Sequence, residues 1–97
     1  MAGLREVTPK IITYTLGLTG VENSQAIPNN TVDLQIRLRD TTKVAKVAFV
    51  SGESATNFFT LDSLHPFLKF EDVFFNGVTL HCQGTTDSII LELLVCN

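Results

Sequence analysis

The sequence predicts an all-β protein, an antiparallel β-sandwich or jelly roll of about seven or eight short strands with an N-terminal arm. Residues 32–39 alternate strictly between apolar and polar side chains, which is the period of a half-buried strand. Thr, Val and Ile, which favour a pleated backbone, make up 27 of the 97 residues. Turn residues recur roughly every 8–12 positions, a spacing typical of sandwiches and small barrels.

The first strand is expected within residues 6–18. Pro9 lies early in this segment, and proline suits an edge strand or an extended arm because it cannot donate to a ladder. We therefore assign residues 1–20 to an N-terminal arm or edge strand. Residues 21–97 form a single β-sandwich domain in this interpretation, since 97 residues suit one domain.

The middle of the chain predicts a loop followed by a hairpin. Residues 19–30 are rich in Gly, Asn, Ser, Gln and Pro and offer little to bury, so they are expected to form a loop. Strands are expected at 32–39 and 44–50. The short connection between them makes a β-hairpin the simplest arrangement.

Further strands are expected at residues 58–61 and 67–70, with a corner at 63–66. The aromatic content is dominated by phenylalanine, since the chain has seven Phe, one Tyr and no Trp. Aromatic rings bury large areas. The expected core fillers are therefore Phe49, Phe59, Phe67, Phe70 and Phe75.

The last third of the chain predicts a second hairpin and a final apolar strand. Asn76-Gly77 is a strong two-residue hairpin signal between strands at 73–75 and 78–83. Residues 89–96 are almost continuously apolar. Such a strand is either central and covered on both sides, or has the core on one face and an interface on the other.

Composition and charge argue against several classes of partner. The net charge is −3 and there is no basic run, so nucleic-acid binding is not expected. No apolar run approaches the ~20 residues of a membrane span, and the start of the chain lacks the apolar segment of a signal peptide. We expect synthesis in a cytoplasm, with both cysteines reduced.

Few residues suggest chemistry. His81 and Cys82 are adjacent in an expected strand, so their side chains point to opposite faces and cannot act together. A turn at 84–88 would place Cys82 opposite Ile90 and away from Cys96, which predicts neither a disulfide nor a shared metal. We expect no catalytic residues, no metal ligands and no cofactor, and hence a protein that is not an enzyme.

Surface and shape then remain as the basis of function. The N-terminal segment is apolar enough to pair with another chain, which favours a homo-oligomer, a trimer or a dimer. The alternative is that this segment closes its own sheet. The predicted protein-interface residues are Leu4, Val7, Ile11, Ile12, Tyr14 and Leu16.

The order of strand and turn patterns from residue 32 to residue 96 resembles small all-β structural proteins of tailed bacteriophage virions. The similarity lies in segments 33–38, 46–54, 58–61, 78–83 and 90–95. It implies a capsid decoration (cement) protein that binds the major capsid protein at the virion surface and stabilises the phage head. The alternative is a tail, baseplate or fibre accessory module with a receptor- or carbohydrate-binding role.

Overall fold

Eight β-strands account for the regular structure of the protein in a computed structural model that describes residues 8–96. Within this range there is no helix, so the all-β prediction is confirmed. The strands are β1 (Pro9–Leu16), β2 (Asn23–Ala26), β3 (Asp33–Leu38), β4 (Ala45–Ala48), β5 (Phe59–Leu61), β6 (Phe67–Phe70), β7 (Thr79–Gly84) and β8 (Ile89–Cys96).

The strands form two four-stranded antiparallel sheets that pack as a β-sandwich. The first sheet has the order β1-β8-β3-β6 and the second has the order β2-β7-β4-β5. Four of the ladders pair the first strand with the eighth, the second with the seventh, and so on towards the middle of the chain. These pairs are β1 with β8, β2 with β7, β3 with β6 and β4 with β5. The chain therefore passes between the sheets at almost every connection, and only β4 and β5 form a sequential pair.

The predicted hairpin of residues 32–50 is wrong. β3 lies between β8 and β6 in the first sheet, whereas β4 lies between β7 and β5 in the second. The Arg39 N–H donates to the Ile90 carbonyl at 3.1 Å, so the end of β3 stays with β8. The chain then crosses to the other sheet. Leu38 of β3 and Val47 of β4 consequently point into the same core from opposite sides.

Two further predictions in the connections are wrong. The expected loop of 19–30 contains β2, which pairs with β7. The Asn76-Gly77 turn is present, with Gly77 at φ 72°, but it does not join two paired strands. Before this turn only a single bridge links Phe75 to Thr31, while β7 pairs with β2 and β4.

The core is aliphatic. Its fully buried members come from the inner faces of both sheets and include Leu16, Leu34, Ile36, Leu38, Val47, Leu61, Leu80, Leu91 and Leu93. The prediction that phenylalanines fill the core is wrong for Phe59 and Phe67, which are 58% and 50% exposed. Phe67 pairs with Arg37 and shares its outward orientation, because residues directly opposite in a ladder point to the same face.

Tyr14 connects the two sheets through its hydroxyl group. Its ring is buried in the core, and the hydroxyl donates to the Asn23 carbonyl and accepts the Cys82 N–H at 3.3 Å. Asn23 and Cys82 are opposite each other in the β2–β7 ladder. The only tyrosine of the chain thus ties β1 of the first sheet to two strands of the second. Burial raises its pKa above the ordinary value of 10.0.

The two cysteines are free thiols on different sheets. Cys82 lies opposite Asn23 and Val47, so the prediction that it lies opposite Ile90 is wrong. The reason is that β7 and β8 belong to different sheets, although only a short turn separates them. Burial raises the pKa of the Cys82 thiol to about 11, which keeps it protonated and unreactive at neutral pH.

Candidate protein-interaction surface

The solvent-facing side of the β1-β8-β3-β6 sheet carries an unusual mixture of apolar and charged side chains. We call this surface the outer face, and alternate residues of the four strands form it. Its members are Ile11, Thr13 and Thr15 of β1, Ile90, Glu92 and Leu94 of β8, Asp33, Gln35 and Arg37 of β3, and Phe67 and Lys69 of β6.

Ile11 and Leu94 form a short apolar strip on the β1–β8 side of the outer face. The register places Ile11 beside Leu94, and Leu94 beside Gln35. Ile11 is 69% exposed and Leu94 is 38% exposed, although Leu94 lies on the central strand β8. These two residues line a shallow depression of about 290 Å³ together with Gln35, Arg37 and Glu92. The depression is lined by both apolar and polar side chains, and its volume is sufficient to receive a side chain of another protein.

Charged groups lie beside the apolar strip and pair with one another. The carboxylate of Glu92 lies between two arginines, 3.1 Å from Arg39 Nε and 3.9 Å from Arg37 Nε. At the edge of the sheet the Lys69 ammonium lies 2.7 Å from Glu71, and this hydrogen bond raises the pKa of Lys69. Exposed ion pairs contribute little to stability. Their consequence here is that the two arginine side chains lie close to Glu92, next to the apolar strip.

The residues predicted as an interface separate into three groups. Ile11 lies on the outer face and is exposed. Ile12 packs against the core from a half-buried position, and Tyr14 and Leu16 are buried within the core. These three contribute to the sandwich itself because β1 pairs with β8 along its whole length. Leu4 and Val7 lie outside the described residues.

A second polar cluster holds the loop that follows β4. The carboxylate of Glu22 accepts the Gly52 N–H at 2.9 Å and the Ser54 N–H at 3.2 Å, and it lies 3.6 Å from His81 Nδ1. Hydrogen bonds from Ser54 and Gly52 lower the pKa of Glu22. The Ser54 hydroxyl donates to Gln83 Oε1 at 3.0 Å.

Serine, histidine and carboxylate groups thus meet in this cluster, but the geometry is that of a clamp. Ser54 is only 2% exposed and its hydroxyl is directed at Gln83, so a substrate has no access to it. The cluster fixes the loop against the second sheet. Sequence reasoning missed it because Glu22, Ser54 and His81 are far apart in the chain, and no local motif joins them.

Three phenylalanines form a groove at the border of the two sheets. Phe70 packs edge to face against Phe49 and Phe75, with ring centroids 5.8 and 5.7 Å apart. The groove has a volume of about 510 Å³ and extends to His81. Its rings contact one another through their edges and faces, so they stabilise the border of the sandwich.

The other groups considered for chemistry lie apart. His65 is exposed on a loop, 3.8 Å from Asp62. Between residues 8 and 96, no three His, Cys, Asp or Glu side chains gather into a group suited to a metal ion. The same part of the chain contains no helix long and apolar enough to cross a membrane.

Comparisons with known proteins give no family for this chain. It matches no protein-family model, and no curated protein sequence is significantly similar to it.

Proposed function

We propose that this chain is a non-enzymatic structural protein of a tailed-bacteriophage virion. In this role it is a capsid decoration protein that binds the major capsid protein on the surface of the head and stabilises the shell. The observation that carries the proposal is the apolar strip on the outer face, where Leu94 of the central strand β8 and Ile11 of the neighbouring edge strand β1 remain exposed. Apolar groups on a rigid sheet surface, rimmed by polar side chains, are characteristic of protein interaction sites.

The strand pairing supports a jelly-roll interpretation of the sandwich. Ladders between β1 and β8, β2 and β7, β3 and β6, and β4 and β5 are those of one long antiparallel ribbon folded over on itself. Jelly rolls are common in viral capsid proteins, but lectins and cupins also use them. The fold thus agrees with a virion role without specifying it, and the exposed apolar residues of the outer face are what favour a protein-binding role here.

The polar groups also favour a structural role. Among the buried potential nucleophiles, the Ser54 hydroxyl donates a hydrogen bond to Gln83, and the Cys82 side chain is part of the hydrophobic core. The arginines beside Glu92 offer directional hydrogen bonds to carboxylate or carbonyl groups of a partner. A capsid shell presents such groups on a rigid lattice, so many weak contacts act together.

Co-sedimentation with capsid particles tests the proposal. The particles are assembled from the major capsid protein of the phage that encodes this chain, and bound protein is quantified against the free protein. We expect saturable binding by the native protein. Leu94→Glu places a charge in the apolar strip, and we expect it to weaken binding by about tenfold or more, equivalent to about 1.4 kcal/mol.

The matched control is Val50→Glu. Val50 is 55% exposed in the loop after β4, which belongs to the second sheet, so the same chemical change is made away from the outer face. We expect this variant to bind like the native protein. Absence of binding by the native protein contradicts the virion role, and an equal loss in both variants contradicts the assignment of the outer face.

The alternative role is that of a tail or fibre accessory module that binds carbohydrate. The groove formed by Phe49, Phe70 and Phe75 is the feature that favours it, since sugar rings stack on aromatic side chains. A glycan array distinguishes the two roles. Selective glycan binding that is lost in Phe75→Ala, together with no binding to capsid particles, replaces the decoration role with this one.

A further inference from the structure

Within residues 8–96, β1 presents an edge of unusual length that no other strand pairs with. It is the outermost strand of the first sheet and has eight residues, whereas the other three outermost strands, β2, β5 and β6, have three or four. Soluble proteins protect exposed edges with short strands, charged side chains or proline. In β1 these protections are confined to Pro9 and Lys10 at its start.

The ladder of the first sheet identifies the backbone groups on this edge. Arg39 N–H donates to the Ile90 carbonyl, so the even-numbered residues of β8 direct their backbone groups towards β3. The odd-numbered residues of β8 must then bond to β1, and their partners there are the even-numbered residues. The N–H and C=O groups of Ile11, Thr13 and Thr15 consequently point away from the sheet, as does the carbonyl of Pro9.

This edge is complementary to itself. In an antiparallel pair of two copies centred on Thr13, the N–H and C=O of Thr13 meet those of the partner's Thr13. Ile11 then lies opposite the partner's Thr15, and all three exposed N–H groups find carbonyl acceptors. On the inner side, half-buried Ile12 comes to lie beside the partner's Tyr14, which extends the apolar core across the junction. Lys10 faces the uncharged Leu16 of the partner subunit.

We propose that two copies of this chain dimerise by pairing their β1 strands antiparallel, with Thr13 at the two-fold axis. The two sheets then form one continuous eight-stranded sheet. The partner is a second copy because the free groups on β1 satisfy one another without opposing like charges, a condition that a two-fold axis requires. The outer faces of the two copies also become contiguous, with the apolar strip at Ile11 next to the junction.

Amide hydrogen exchange and solution mass test this dimer on the native chain. We expect a mass that rises with concentration towards twice that of the 10.7-kDa chain. The amides of Ile11, Thr13 and Thr15 should exchange rapidly in dilute solution and become protected as the dimer forms. Those of Ile12 and Tyr14 serve as internal references, because they bond to β8 in the monomer and stay protected throughout.

Thr13→Pro removes a donor on the free edge without removing any bond to β8. We expect it to raise the dimer dissociation constant by about tenfold or more, because it removes a central hydrogen bond and places a ring in the junction. The matched control is Lys69→Pro, which makes the same change at a free-edge position of β6 on the opposite side of the sheet. Circular dichroism verifies that both variants fold.

Several outcomes overturn the inference. A native chain that stays monomeric at every concentration does so, as does a dimer that folded Thr13→Pro leaves unchanged. Protection of the three amides only when capsid particles are added assigns the edge to a different partner. If Thr13→Pro does not fold, the exchange pattern of the native chain decides. The dimer is independent of the virion role, since Leu94→Glu tests that role at a position away from this edge.

Discussion

Replacing Tyr14 with phenylalanine tests the connection between the two sheets most directly. The substitution keeps the buried ring and removes only the hydroxyl, which donates to the Asn23 carbonyl and accepts the Cys82 N–H. Cys82 is fully buried, but its N–H also faces the Asn23 carbonyl in the β2–β7 ladder, so the loss of the hydroxyl costs about 0.5–1.5 kcal/mol there. Asn23 is only partly buried, and water can replace the lost donor there at a cost of about 0.5–1 kcal/mol.

The expected loss is therefore about 1–2.5 kcal/mol, a sizeable part of the roughly 5–15 kcal/mol that stabilises a domain. The melting temperature should fall by roughly 4–20 °C, given about 4–8 °C per kcal/mol for a domain of this size. Urea unfolding followed by far-ultraviolet circular dichroism measures the change, because the variant has lost the only tyrosine.

The matched control is Thr60→Val, which removes a hydroxyl from an exposed strand position and should change stability by less than about 0.5 kcal/mol. The reasoning is refuted if Tyr14→Phe behaves like this control. Such a result would mean that the hydroxyl contributes nothing to the joining of the sheets, and that packing of the ring alone connects them.

Three further predictions concern individual residues. Between pH 9.0 and 10.0 the native protein should lose stability, because Cys82 ionises in the unfolded state while its pKa in the folded state is about 11. The urea midpoint should therefore depend less on pH in Cys82→Ala than in the native protein. Glu22→Gln should lower the free energy of unfolding at neutral pH and make it less sensitive to acid. The lowered pKa of Glu22 stabilises the folded state above the ordinary value of 4.5, and this stabilisation is lost as the pH falls through the folded pKa. Equal acid profiles of the native protein and the variant in urea titrations would contradict this. Gly84→Ala should cost about 1–3 kcal/mol in thermal melting, because its Cβ would lie 2.8 Å from Ile89 Cδ1 and from the Thr86 carbonyl, whereas Gly17→Ala meets nothing closer than 3.7 Å and should be nearly neutral.

Local sequence patterns predicted strands well and their partners poorly. The alternation of residues 32–39 correctly separates buried Leu34, Ile36 and Leu38 from the outward Gln35 and Arg37, because side-chain direction in a strand depends only on position parity. The hairpin at 32–50 failed because a short connection is compatible with both a turn within a sheet and a crossing between sheets. The choice depends on which distant strand fills the neighbouring position, and here β8 does so.

The candidate surface was only partly visible in the sequence for the same reason. The apolar character of residues 89–96 indicated a strand with something to cover on both sides, and Leu94 is indeed exposed opposite the core. Its neighbours Ile11 and Gln35 come from strands remote in the chain, so their grouping follows from the register alone. The clamp at Glu22 likewise depends on contacts between segments that carry no shared motif.

The order of strands has a consequence for folding during synthesis on the ribosome. β8 is synthesised after the other seven strands of residues 8–96, yet it is the strand that joins β1 to β3 in the first sheet. Until residues 89–96 leave the exit tunnel, β1 has no neighbouring strand in the first sheet and its apolar side chains stay exposed to solvent. The first sheet can therefore form only once residues 89–96 have left the tunnel, and its dependence on distant pairings makes that step slow. We expect nascent chains halted before residue 89 to remain sensitive to protease, while chains extended by a linker that clears the tunnel become resistant.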